Sequence, residues 1–205
     1  VRTGALILIV ALASGCGGDG DASTGETAEN GATPDDSSTD VDEAAMRSRL
    51  DEIAAQVAVW RTSDDLAEVR SASEAAANLI VGPQGPGYGD RDGDGSVSGE
   101  NDQGLLPGLD GTPPGIASAL ADRTCVVRDV LAGTVDDPQT AWAEMDSAID
   151  AWAPNSNTMP SLASHPMRIV GWSTFTLESD SIDEGHEYAG HAQLHVDVSL
   201  RALDC

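Results

Sequence analysis

The chain has no lysine: all ten of its basic residues are arginine. Thirty-five aspartates and glutamates oppose them, for a formal net charge of -25. A surface this negative repels phosphate backbones and anionic headgroups, which sets nucleic acid aside as a partner. It suits high ionic strength, where screening removes self-repulsion, although a GC-rich codon bias would leave the same arginine-only mark. The glycine-rich Gly85-Pro86-Gly87-Tyr88-Gly89 has no lysine and runs into aspartates, so it would repel phosphate rather than cradle it. Aromatic residues are only 3%, with a single phenylalanine, so Ala, Leu, Val and Ile must build the core around four tryptophans. No apolar run reaches the ~20 residues a helix needs to span a bilayer. Catalytic patterns are missing too. No serine stands in a nucleophile elbow, and His186-Glu187 lacks the second histidine of the metalloprotease spacing. Carboxylates are too abundant to single out an acid/base pair.

What is present begins with an export pattern. Arg2 precedes the apolar run Ala5-Leu6-Ile7-Leu8-Ile9-Val10-Ala11-Leu12, which ends in Leu12-Ala13-Ser14-Gly15-Cys16. Small residues ahead of a cysteine at the end of such a run resemble a prokaryotic lipobox. The resemblance implies that residues 1–16 are a lipoprotein signal peptide and that Cys16 is lipidated. The membrane is then a partner through the lipid, on the extracytoplasmic side of the cell membrane or in the outer membrane. Residues 17–41 are Gly, Ser, Thr, Asp, Glu and Ala with almost nothing apolar. Such a stretch builds no core and reads as an acidic tether. The folded domain is expected over 42–205.

The densest chemical pattern lies at Asp90-Arg91-Asp92-Gly93-Asp94-Gly95-Ser96-Val97-Ser98. Three alternating aspartates put carboxylates at positions 1, 3 and 5 of a loop. Gly95, with no side chain, permits the sharp turn at position 6 that lets them converge. This stretch resembles the calcium loop of EF-hand and dockerin modules. The resemblance implies side-chain ligands from Asp90, Asp92 and Asp94, a carbonyl from Ser96 and a water held by Ser98. Position 12 is Asn101, flanked by Glu100 and Asp102, and these three complete the candidate set within 90–102. Val97, at position 8, is expected to pin the loop to the core. With no standard closing glutamate the expected affinity is about 10⁻⁴ to 10⁻³ M. Gly82-Pro83 and the residues after them cannot be helix, so the loop lacks the usual helix pair.

Apolar periodicity around the loop is helical. Met46, Leu50, Ile53, Val57 and Trp60 recur every three or four residues. A second helix starts near Thr62-Ser63-Asp64, runs through Leu66, Val69, Ala76 and Ile80, and stops before Gly82. Residues 82–112 form a long crossover that Leu105-Leu106-Pro107 anchors at its exit. A third helix is expected from Thr112-Pro113 to Gly133, lined by Ile116, Leu120, Val127 and Leu131. A fourth runs from Asp137-Pro138 to Pro154 through Trp142, Met145, Ile149 and Trp152. Pro160 and Pro166 break the segment after it. Arg168 to Leu177 is β-branched and aromatic but is read as helix, since a lone strand would have no partner. Ser181-Ile182-Asp183-Glu184 is a capping box that opens the last helix. The expected fold is all-α: a four- to five-helix bundle with a long calcium-binding crossover loop.

His191 and His195 leave the same side of the last helix, on an arc shared with Leu194, Val198 and Ala202, while His186 falls on the polar side. Two histidines at that spacing, joined by Glu187, His165 or Met167, form a candidate transition-metal site. The other reading is two ordinary histidines at the edge of an apolar face. Cys125 and Cys205 make an even pair in an exported chain, either bridged to each other or left as thiols, with Cys205 also able to pair between chains. The tryptophans are expected in the core. Three functional readings stand in order. The first is a lipid-anchored, calcium-binding module of the cell envelope with a binding or structural role. The second is a transition-metal or haem-binding bundle built on His191 and His195. The third is an enzyme of unrecognised class.

Overall fold

A computed structural model describes residues 36–153 and 162–205 of the chain. The signal segment, Cys16 and most of the expected tether lie outside the described residues, as does Pro160. Among the described residues the regular structure is entirely helical. Five α-helices carry it: α1 (Asp36–Thr62), α2 (Leu66–Val81), α3 (Pro138–Ala151), α4 (His165–Glu178) and α5 (Ile182–Arg201). The all-α expectation holds. None of these helices is long and apolar enough to cross a membrane. α1 begins at Asp36, within the stretch expected to be tether.

The α1 periodicity translates directly into burial: Met46, Leu50, Ile53, Val57 and Trp60 have no exposed surface. That face packs on α2 and α5, and α4 packs on both of those helices to close a four-helix arrangement. α3 is peripheral and leans on α4. Caps explain where the helices start. The Asp65, Asp137, Ser164 and Ser181 side chains each accept a first-turn N–H, of Ala67, Thr140, Met167 and Glu184. Pro166 sits in the first turn of α4, where its missing N–H costs nothing, so it starts the helix instead of breaking it. Ser181 caps α5, but the reciprocal half of the box is redirected: Glu184 accepts from the Ser179 hydroxyl at 2.6 Å.

Two further expectations about the helices need correcting. The continuous third helix is replaced by a 3₁₀ turn at Ile116–Leu120 and a π-type turn at Val126–Leu131. The Ile116 and Ala117 N–H groups are spent on the Gly104 and Leu105 carbonyls, each at 3.0 Å, so no helix grows from Thr112. Beyond them Asp122, Thr124 and the β-branched Val126-Val127 are poor helix formers. On α5 the buried face is Gly185, Ala189, Ala192, Val196 and Ser199, whereas Leu194 is 60% exposed. At Gly185 the reason is the close approach of α2: a Cβ there would stand 2.8 Å from Val69 Cγ1. Trp60, Trp142 and Trp172 are in the core as expected, and Cys125 and Cys205 stand at disulfide distance with Cα atoms 6.1 Å apart.

Candidate metal centre

The crossover is held by α2. Ser71, Glu74, Ala75 and Asn78 follow the i, i+3, i+4, i+7 rule and form one stripe facing the loop. Glu74 has no exposed surface. Its Oε2 accepts the backbone N–H groups of Arg91 at 2.6 Å and Asp92 at 2.8 Å, and Oε1 accepts that of Ser98 at 2.7 Å. One turn on, the Asn78 amide donates to the carbonyls of Gly89 and Ser98 at 3.0 and 2.8 Å, and its oxygen accepts the Gly89 N–H at 3.1 Å. The Ser71 and Ser98 hydroxyls meet at 2.7 Å. Beyond the stripe, Leu105 and Leu106 donate to the Leu79 and Ile80 carbonyls, and Arg49 bridges the carbonyls of Leu79 and Gln103. Val97 does not pin the loop; it is 39% exposed, and buried polar groups do that work instead.

Gly99 rests directly on Ala75. A Cβ there would come 2.5 Å from the Ala75 carbonyl oxygen, and φ is +72°. Gly99→Ala is therefore expected to lower stability by at least about 2 kcal/mol, from left-handed strain plus a backbone clash. Urea unfolding of the variant checks this.

Inside the loop each aspartate organises the next turn. Asp90 accepts from the N–H groups of Gly93 and Gly95 at 2.8 and 3.0 Å, one on each oxygen. Asp92 accepts from Asp94 N–H at 3.0 Å, and Asp94 from Ser96 N–H at 2.7 Å. These turns bring an oxygen of Asp90 and one of Asp92 within 4.8 Å of each other and of Glu74. Asp94 lies outside that set, as do Glu100 and Asp102, all exposed; Ser96, expected to offer its carbonyl, is exposed too. The Ser98 hydroxyl and carbonyl are engaged by Ser71 and Asn78. Asn101 turns its amide nitrogen to the Asn78 and Gly99 carbonyls, at 2.9 and 2.8 Å, and its backbone meets Tyr88 Oη twice at 3.1 Å. Of the five acidic loop residues read from sequence, Asp90 and Asp92 join the cluster, and its third member, Glu74, comes from sixteen residues upstream of Asp90.

Lone pairs remain for an ion. A carboxylate offers about four acceptor sites. Glu74 uses three for the N–H groups above and Asp90 uses two, so each keeps capacity. An all-carboxylate donor set is of the hard, oxygen-only kind that could hold a divalent cation. Electrostatics agrees: burial, then the charges of Asp94 and Asp90, raise the Asp92 carboxyl above its ordinary range. A cation would relieve that crowding. The largely buried Arg91 guanidinium feels the charges of Glu74 and Glu178.

The histidines divide differently from their spacing. His191 stacks on Trp172 with ring centroids 4.5 Å apart. His195 faces His165 across α4, with Nδ1 atoms 2.9 Å apart, so one ring donates and the other accepts. Glu187 is exposed and Met167 is in the core. Among the described residues no cluster of three His, Cys, Asp or Glu side chains includes any of these histidines. Burial, with His165 and Arg168 nearby, pushes His195 down to about 3. Burial and Arg168 lower His165 as well. Above the unfolded value near 6.5 neither the folded nor the unfolded state binds the proton. As pH falls the unfolded imidazole takes it first, so stability declines from that point toward the folded value. The melting temperature should therefore drop between about pH 6.5 and 4.5, where carboxylates are still mostly charged, and His195→Asn should flatten the decline. Melts of both proteins across that window check it.

No protein-family model matches this chain, and neither a curated protein nor a solved structure does.

Proposed function

We propose that this chain is a lipid-anchored, extracytoplasmic domain whose crossover loop binds calcium, and that it serves as a binding or structural module of the cell envelope. The observation that carries the calcium reading is the convergence of Glu74, Asp90 and Asp92 oxygens within 4.8 Å, on a loop with the Asp-x-Asp-x-Asp-Gly spacing. The lipobox-like Leu12-Ala13-Ser14-Gly15-Cys16 supports the anchor, and the even pair Cys125 and Cys205 suits an oxidising compartment. Calcium is plentiful outside cells, so a weak site suffices there.

The test is a thermal melt at matched ionic strength with calcium or with chelator. With a dissociation constant of 10⁻⁴ to 10⁻³ M, about 10 mM calcium should stabilise the fold by about 1.4 to 2.7 kcal/mol. For a domain this size that is a rise of roughly 3 to 8 °C. Asp90→Asn combined with Asp92→Asn should lose the rise. General screening of a chain at -25 would act on both proteins alike, so an equal rise in the variant, or none in the parent, counts against the site. The anchor is tested separately: radiolabelled fatty acid should enter the expressed precursor and fail to enter its Cys16→Ser variant.

A further inference from the structure

A cleft of about 320 Å³ opens between the start of the crossover, α3 and α4. Its walls carry opposite charges that do not meet. On one side Arg91 reaches to α4, where Nη2 donates to Thr174 Oγ1 at 2.7 Å. Its Nη1 is buried and has no acceptor, and Arg91 forms no ion pair among the described residues. A buried guanidinium left this way is costly, and burial duly lowers its proton affinity. On the other side Asp146 and Asp150 stand one turn apart on α3, also without ion pairs among the described residues. Asp146 is exposed overall, yet neighbouring protein atoms and the Asp150 charge push its carboxyl up. Neither wall is closed by a direct ion pair among the described residues, although Arg91 lies in the field of Glu74 and Glu178. Arg91 cannot swing across to supply one without giving up Thr174 and the field of Glu74. Between them Met145 and Val170 are buried apolar surface. The volume matches the lower end of small-molecule sites, which combine apolar lining with a few converging polar groups.

We propose that this cleft binds a small zwitterion with an apolar body, such as a free aliphatic amino acid or a short peptide. Its carboxylate would meet Arg91, its ammonium would meet Asp146 and Asp150, and its side chain would lie on Met145 and Val170. A ligand with one charge would satisfy one wall and leave the other unpaired. The zwitterion supplies both charge-assisted contacts at once.

Isothermal titration tests this with three zwitterions of increasing charge separation: L-leucine, leucylglycine and 6-aminohexanoate. Isovalerate and isoamylamine serve as one-charge controls. Each titration is run with calcium and with chelator, so that failure of the ion site and failure of the cleft are read separately. At least one zwitterion should bind, and its one-charge analogues should bind at least about tenfold more weakly, the loss of one charge-assisted contact. Asp146→Asn with Asp150→Asn, both on an exposed helix face, should cost the zwitterion a similar factor while leaving isovalerate unchanged. Arg91→Gln should do the reverse, weakening isovalerate and sparing isoamylamine. No saturable binding of any zwitterion up to about 10 mM would overturn the proposal. So would binding that the double aspartate variant, folded by circular dichroism, leaves intact.

Discussion

Replacing Glu74 by alanine should lower the melting temperature by roughly 10 °C and remove the response to calcium together. The side chain is wholly buried and takes three loop N–H groups, of Arg91, Asp92 and Ser98. A buried N–H left without an acceptor costs about 1–3 kcal/mol, and bonds to a charged acceptor are the stronger kind. Three such losses would sum to more than the variant shows, because the loop can lift from α2 and let water in. Removing a buried charge also returns some desolvation energy. About 3–5 kcal/mol should remain, which sets the temperature shift at this chain length. Glu74→Gln separates shape from charge. Its one oxygen can serve one side of the old carboxylate, but its amide nitrogen must then point at a backbone N–H, donor against donor. It should therefore fall well short of full rescue. Hydrogen exchange gives the local readout: amides of residues 91, 92 and 98 should lose protection before those of α1. A Glu74→Ala protein that melts within a degree or two of the parent would mean that the loop is held by Asn78, Leu105 and Leu106 without it.

The helices are legible in the sequence because their faces are simple. The Met46 to Trp60 spacing names a buried stripe, and that stripe is buried in full. The start of α4 is hidden at Pro166, since a proline reads alike as breaker and as first-turn residue until its neighbours are placed. The third helix misleads for a different reason. Its apolar spacing is helical, but its first N–H groups are claimed by a loop twelve residues earlier in the chain. No local pattern announces such a competitor.

The site is half legible. Asp90 and Asp92 announce themselves by alternation, while Glu74 and Asn78 do not. They lie in Ser71-Ala72-Ser73-Glu74-Ala75-Ala76-Ala77-Asn78, where two polar residues four apart look like an ordinary solvated helix face. The one available signal is how small their neighbours are. A helix this rich in alanine can be approached from every side, and α2 is buried all round from Ala72 to Val81. Polar groups in such a helix must find partners inside the protein. That changes the part an ion plays. Because α2 already supplies polar anchors, an ion would add to a loop that the chain itself orders.

Reduction of the Cys125–Cys205 bridge should destabilise the domain by about 3–4 kcal/mol, again roughly 10 °C. The two residues are 80 apart in sequence, and closing a loop that long removes much of the unfolded chain's freedom. Residues 203 and 204 should stay docked without the bridge. Leu203 is buried, Arg123 donates to its carbonyl at 3.1 Å, and Arg47 pairs with Asp204 at 2.9 Å. The loss should therefore appear in the melt and not in helix content at room temperature. A protein with Cys125→Ala and Cys205→Ala should melt where the reduced parent does, and dithiothreitol should not shift it. Unreduced, denatured parent treated with iodoacetamide should leave both cysteines unmodified by peptide mass. Alkylation of either, with a melt indifferent to reductant, would show that the pair stays as thiols, and the oxidising compartment inferred from it would lose its support.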